Sequence, residues 1–306
     1  MVIGHQKQWQ FLKKSAELEK LSHAYLFSGQ EKLGKKTIAI EWISLLFGEN
    51  IQKKLHPDFI LIGPINREIQ ISQIRDLNWK LSLKPSIAPL KVAIIDQAHL
   101  MNEEAQNCFL KTLEEPKGNT LLILITSHPE FLFPTILSRC QIIKFYPVER
   151  KEIESYLRTR ALAKREDKRS SSTGQGISEN EVKVIADISL GRPGAAIDFL
   201  KNPQKLESRQ RVIKELIEIS NLSLAGRFQY AGKLTKGSNV REILEIWLSY
   251  FRNVLLEQCL NFEVKHRQHS FLRLKNIIKQ IQNTSFLIST TNVNPRLALE
   301  ILMLDL

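Results

Sequence analysis

The sequence predicts an α/β fold with a largely parallel sheet in its first half, followed by two helical regions. Three observations carry that reading. Short apolar runs of four to six residues, "AYLF", "FILIG", "VAIID", "LLILIT" and "QIIKF", punctuate residues 22–146, with helical patterns or loops between them. Runs that stay apolar at successive positions belong to strands buried on both faces, and such strands need helices to cover them. After Pro147 the strand signals stop, and the later apolar patterns have helical spacing.

In order along the chain, the first run, His23 to Phe27, leads into Gly29-x-x-x-x-Gly34-Lys35 and then an apolar helical pattern. That is the strand, loop and helix order of a phosphate-binding loop, in which glycines let backbone N–H groups curl around phosphates and the lysine meets the terminal phosphates. The next position should be a Ser or Thr whose hydroxyl holds magnesium; it is Lys36, a second cation. Moving the register to Lys36 and Thr37 puts Gln30 and Lys35 where both glycines should be, so that rescue fails. An ammonium 4 Å from a unit positive charge costs about 4 kcal/mol at an effective dielectric of 20. Lys36 is therefore expected to point elsewhere, leaving the metal one ligand short.

The strand in "KVAIIDQAHLM" ends in Asp96, which can present a carboxylate to a metal ion, and the helix-like "MNEEAQNCFLKTLEEP" follows. The position after Asp96, where a Glu would activate water, is Gln97. An amide cannot take up the water's proton. Thr126, at the end of "LLILIT", is placed either to bond a γ-phosphate or to cap its own turn. Ser138-Arg139-Cys140 then precedes the last strand; Arg139 reads either as a surface ion-pair residue or as a guanidinium reaching a phosphate on a neighbouring subunit.

Residues 149–160 read as a helix, and "AKREDKRSSSTGQGIS" as a loose loop. A helix over residues 179–190 ends at Gly191, and Pro193 opens another, where its missing N–H is not needed. Beyond residue 206 the chain is helical throughout, with Ile243, Leu244, Trp247, Leu248 and Phe251 on one stripe. Trp247, Tyr250 and Phe251 read as helical core in preference to a base-stacking platform. The expected division is 1–147, 148–205 and 206–306, in line with about 150 residues per domain and smaller helical units.

Composition removes several classes of function. With 43% apolar and 25% charged residues among 306, the chain is neither fibrous nor disordered. Lys and Arg outnumber Asp and Glu by 44 to 32, a net charge of +12, which favours polyanionic partners. Two basic runs stand out, Arg158, Arg160, Lys164, Arg165, Lys168 and Arg169, and Lys265, His266, Arg267, Arg273 and Lys275. They read first as solvated faces and a loop; a free-standing DNA-binding protein is the reading that draws on charge alone. Cys108, Cys140 and Cys259 are too dispersed for a disulfide framework or a Cys-x-x-Cys zinc module, which fits a reducing cytoplasm. His5, His23, His56 and His128 lack ligand spacing and suit packing or capping. The longest apolar run, "LLILI", is too short to span a bilayer, so a cytoplasmic protein without membrane attachment is expected.

Taken together, "IGHQKQWQFLKKS", "LSHAYLFSGQEKLGK", "HPDF", "IQISQIRDL", "VAIIDQAHLMNEEAQNCFLKTLEEP", "PTILSRCQ" and "NPRLALEILML" resemble the subunits of the bacterial DNA polymerase III clamp loader, members of the AAA+ family. The resemblance implies a P-loop nucleotide fold, a small helical lid and an all-α collar that joins five subunits. It implies gamma/tau and delta subunits as partners, with the sliding clamp and primed DNA reached through the complex. Motor subunits carry a hydroxyl, a Glu and a lid Arg where this chain has Lys36, Gln97 and Gly194, so three parts of one hydrolytic site are replaced together. The family's four zinc cysteines are absent from "FGENIQKKLHPDF", so no zinc is expected.

In this family the arginine of the Ser-Arg-Cys motif acts on the ATP of an adjacent motor subunit, a role the resemblance extends to Arg139. The expected nucleotide-site residues are Gly29, Gly34, Lys35, Lys36, Thr37, Asp96 and Thr126, with ATP or ADP either absent or held without hydrolysis. The expected role is a stator and trans-activating subunit of a nucleotidyltransferase assembly, its own ATPase weak or absent. The alternative is an ATPase motor subunit that tolerates Lys36 and Gln97.

Overall fold

The computed structural model describes residues 3–51, 56–116, 118–166, 178–237, 239–260, 268–291 and 293–306. The element order opens with α1 (Gln6–Glu17), β1 (Ala24–Ser28), α2 (Lys35–Phe47), β2 (Phe59–Ile62), α3 (Ile71–Ser82) and β3 (Lys91–Ile95). It continues with α4 (Glu103–Glu114), β4 (Thr120–Thr126), α5 (Pro134–Leu137) and β5 (Gln141–Lys144). Two single 3₁₀ turns, Ala98–Leu100 and Pro129–Phe131, lie between these elements. All five apolar runs are strands. They form one sheet in the order β2-β3-β4-β1-β5, with every pairing parallel.

Side chains alternate between the two faces because the strand period is two. Ala24 and Leu26 of β1, Ala93 and Ile95 of β3, and Leu122 and Leu124 of β4 pack on one face with Ile74, Leu77 and Phe109 of α3 and α4. Tyr25 and Phe27, Val92 and Ile94, and Leu121 and Ile123 pack on the other with Leu12, Ile38, Trp42 and Ile43 of α1 and α2. The Trp42 indole is fully buried and donates its N–H to the Leu12 carbonyl at 2.9 Å, which satisfies its polar edge and ties α1 to α2.

The "HPDF" segment has a structural role. Asp58 is completely buried, and its carboxylate accepts the backbone N–H groups of Ser86, Ile87 and Ala88 at 2.8–2.9 Å, pinning the loop before β3. Burial alone would raise its pKa, but these three donations together with nearby His56 hold it below the usual carboxylate range. His56 in turn accepts the Asp58 N–H on Nδ1 and lies 3.1 Å from Glu49.

Helices follow β5: α6 (Arg150–Glu166), α7 (Glu179–Ser189), α8 (Pro193–Lys201), α9 (Pro203–Ser220), α10 (Leu224–Gly237), α11 (Val240–Leu260), α12 (Gln268–Thr290) and α13 (Pro295–Asp305). α6 runs on past the expected residue 160, through the beginning of the stretch read as a loop, because "RALAKRE" contains no helix breaker. Lys168 and Arg169, the remainder of that loop from 167 to 177, and Lys265, His266 and Arg267 lie outside the described residues. α7 opens with a capping box between Ser178 and Glu181.

The chain divides into two compact units, Met1–Ile197 and Asp198–Leu306. The second has its own core, built from Leu216 and Ile219 of α9, Leu234 of α10, Leu244 and Trp247 of α11, Ile277 and Ile281 of α12, and Leu299 and Leu302 of α13. Trp247 is fully buried there. Arg227 acts as a clasp, donating to the carbonyls of Ser220, Leu222 and Met303. Among the described residues no helix is long and apolar enough to cross a membrane.

Candidate nucleotide site and candidate arginine edge

In an open parallel sheet, ligands bind beyond the carboxyl ends of the strands. That is where the marked residues meet. A cavity of about 360 Å³ is lined by Lys32, Gly34, Lys35, Lys36 and Thr37 after β1, Asp96, Gln97 and His99 after β3, and Thr126 and Ser127 at the end of β4. Its size suits a small-molecule ligand. Gly29 begins the loop: its N–H bonds the Thr126 carbonyl at 3.2 Å, and a Cβ there would collide with the carbonyl oxygen of Phe145. Gly34 stands as N-cap of α2, so the first N–H groups of a 13-residue helix face the loop.

Lys35 is buried and turned onto its own loop, where its Nζ donates to the carbonyl of Gly29 and, at 2.6 Å, to that of Gln30. Burial pushes its pKa down to about 8, against the raising effect of Glu31 and Asp96.

Lys36 corrects the expectation from sequence. It does not point away: its Nζ donates to Asp96 Oδ2 at 2.9 Å, across 60 residues of sequence. The repulsion that should turn it aside requires a metal ion at Asp96; with the carboxylate itself as neighbour, the same charge is attracted. A P-loop fold implies magnesium, and these residues do not fit it. The hydroxyl ligand is missing, and the Asp96 carboxylate, the other protein ligand, is already ion-paired with Lys36. Thr37 lies one residue further, about 100° around the helix; it lines the cavity and also a smaller one of about 130 Å³ with Ile3, Tyr156 and Ile197.

The other residues sort by their partners. Gln97 is exposed, in a left-handed backbone conformation. The Thr126 hydroxyl is completely buried and acts locally: it accepts the His128 N–H at 3.0 Å and lies 3.2 Å from Nδ1 of His99. Gly194 has a physical reason to lack a side chain. Its N–H donates to the Lys32 carbonyl at 2.8 Å, and a Cβ would lie 2.8 Å from that same oxygen. The first turn of α8 is thus held directly on the loop.

Arg139 lies outside this cavity, just after α5. Its Nη2 is 2.8 Å from Glu114 Oε1 at the end of α4, and its Nη1 donates to the Thr135 carbonyl at 3.0 Å. Its side chain is 36% exposed. Beside it Cys140 is half-buried, and burial pushes its thiol up to about 12, so it is inert as a nucleophile at neutral pH.

Sequence reading missed Glu114, His99 and the backbone of Lys32. The first two were visible in "KTLEEP" and "DQAHL", but nothing in the linear order pairs them with Arg139 and Thr126. His128 has a local partner, Glu130, and His5 reaches the Leu33 carbonyl 28 residues on.

Fold and site together define an α/β protein with a parallel five-stranded sheet and a glycine- and lysine-lined cavity beyond its strand ends. Residues 4–149 match the family described as DNA polymerase III, delta subunit. The chain is 31% identical over 217 residues to the DNA polymerase III subunit delta-prime of Bacillus subtilis, covering 66% of this chain and 61% of that protein. It is 34% identical over 136 residues to the delta-prime subunit of Pseudomonas aeruginosa, covering 39% and 42%. It is 27% identical over 294 residues to the tau subunit of B. subtilis, covering 83% and 49%. The aligned part therefore spans less than two thirds of each of these relatives. Over the matched residues the chain is similar to DNA polymerase III subunits of the delta-prime type.

Proposed function

We propose that this chain is a stator subunit of a cytoplasmic DNA polymerase III clamp loader, with an ATPase of its own that is weak or absent. The observation that carries this reading is the Lys36–Asp96 pair, which sets an ammonium on the carboxylate a hydrolytic metal would need. Gln97 removes the neighbouring base, so ATP or ADP held in the cavity would not be split. The proposed partners are gamma/tau motor subunits and a delta subunit in a five-membered ring; the sliding clamp and primed DNA are reached through that complex. Residues 1–147 are assigned to the nucleotide fold, 148–205 to the lid and 206–306 to the collar.

Arg139 is proposed as the trans-acting arginine for a neighbouring motor subunit's ATP. Its part exposure and its position outside the chain's own cavity support this role. A guanidinium supplied in trans stabilises the charge that develops on transferred phosphate. The match to a tau subunit favours the motor alternative, and one assay separates the two. The purified chain is expected to release no phosphate from magnesium ATP above background, whereas sustained turnover would make it a motor.

A further inference from the structure

We propose that Lys36 takes the place of the divalent cation, so that the cavity after β1 accepts a nucleoside polyphosphate without a metal ion. This rests on the reading of the cavity as a silent nucleotide site. A phosphate chain there needs positive charge, which magnesium supplies by bridging the phosphates and a carboxylate. Here the bridging position already holds a cation: the Lys36 ammonium is bonded to Asp96 at 2.9 Å, and its side chain is 45% exposed at the cavity wall. An ammonium has three donors, so one can stay on Asp96 while the others face phosphate oxygens. Lys32 and Lys35 line the same cavity, and so do the first residues of α2, whose N–H groups favour an anion.

The charges set against a phosphate are Glu31 and Asp96, and Lys36 already offsets the second. Adding magnesium would set a doubly charged ion beside a fixed ammonium and make it compete for one carboxylate. Magnesium dehydrates reluctantly and demands near-octahedral oxygen ligands, so that competition is poor. The inference concerns how phosphate charge is met; it requires no hydrolysis.

The test is calorimetric titration of the full-length chain with ADP, once in excess magnesium and once in EDTA. The expected affinities agree within about twofold. Lys36→Thr, which restores the hydroxyl and frees Asp96, is expected to bind at least tenfold more weakly in EDTA than in magnesium. Lys36→Met, which supplies neither charge nor ligand, is expected to weaken ADP at least tenfold in both, with melting curves of both variants confirming folded protein. Wild-type binding that vanishes in EDTA overturns the inference but leaves the silent-site reading intact, and so does absence of binding in both conditions. Magnesium-dependent release of phosphate from ATP by the wild type would bring down the silent-site reading itself.

Discussion

The strand-end cavity and the Arg139 edge both present basic side chains, yet they are satisfied in different ways. In the cavity, Lys35 is buried and spends its donors on loop carbonyls, and Lys36 sits on Asp96. At the edge, Arg139 has named partners for two of the five N–H donors a guanidinium carries, one of them the half-exposed Glu114. A lysine buried on its own loop and a second one held on the cavity's own carboxylate suit a site that keeps its shape without hydrolysis. A guanidinium steadied by a carboxylate, with donors to spare, suits one that serves another molecule. The difference lies in where the partners sit, not in charge: Lys35 and Lys36 bond groups of the cavity's own loop and wall, and Arg139 bonds groups outside it.

The largest expected effect is at the edge. If Arg139 acts in trans as proposed, Arg139→Ala should leave this chain folded and able to assemble, while ATP turnover at the neighbouring site in the reconstituted loader falls on the order of 10³-fold. Equal turnover by wild-type and variant assemblies would break the comparison. Next comes a position with a purely structural duty. Asp58→Ala leaves three buried N–H groups without their acceptor and should cost about 3 kcal/mol of stability, measured by urea denaturation. Because the folded-state pKa of Asp58 is depressed, its contribution is fully present above the unfolded carboxylate value. It should be lost as pH falls through the lower folded value, and the variant should lack that part of the acid transition.

A smaller effect belongs to Lys35. Its ammonium titrates near pH 8 in the folded chain, so ADP affinity should fall by up to about tenfold per pH unit above 8, with proton uptake on binding. Affinity flat from pH 7 to 9.5, read by calorimetry in buffers of different ionisation heat, would exclude Lys35 as a phosphate partner. The stability sign is the reverse. The unfolded chain keeps its lysine proton up to about 10.5, so this group makes stability rise with pH between about 8 and 10.5. The smallest expected change is at Glu114→Gln, which keeps a hydrogen bond to Arg139 but removes the charge. Loader turnover should shift two- to threefold, on the order of an exposed ion pair, with folding unchanged. A loss as large as that of Arg139→Ala would make Glu114 indispensable to the edge.

The sheet was legible because buried strands need unbroken apolar runs, and all five runs became strands in one parallel sheet. The cavity's membership was legible for a related reason. Gly34 to Thr37, Asp96 and Thr126 end or follow strands, and a parallel sheet brings such ends to one edge; Gly29 starts the same loop but does not line the cavity. What each residue does there was less open to reading. The Thr126 hydroxyl turned to its own turn and to His99, and Lys36 turned toward Asp96 where a metal-based argument sent it away.

Order and type of the sheet's elements, the two-faced core and the presence of Lys36 and Gln97 beside Lys35 and Asp96 were fixed by local residue identity, because strand and helix periods are written in the chain itself. The Lys36–Asp96 pair, the Arg139–Glu114 pair and the close approach that forbids a side chain at residue 194 were decided only by folding. Each depends on two segments distant in sequence meeting within about 3 Å, and at that range the sign of an electrostatic interaction follows from which neighbour arrives.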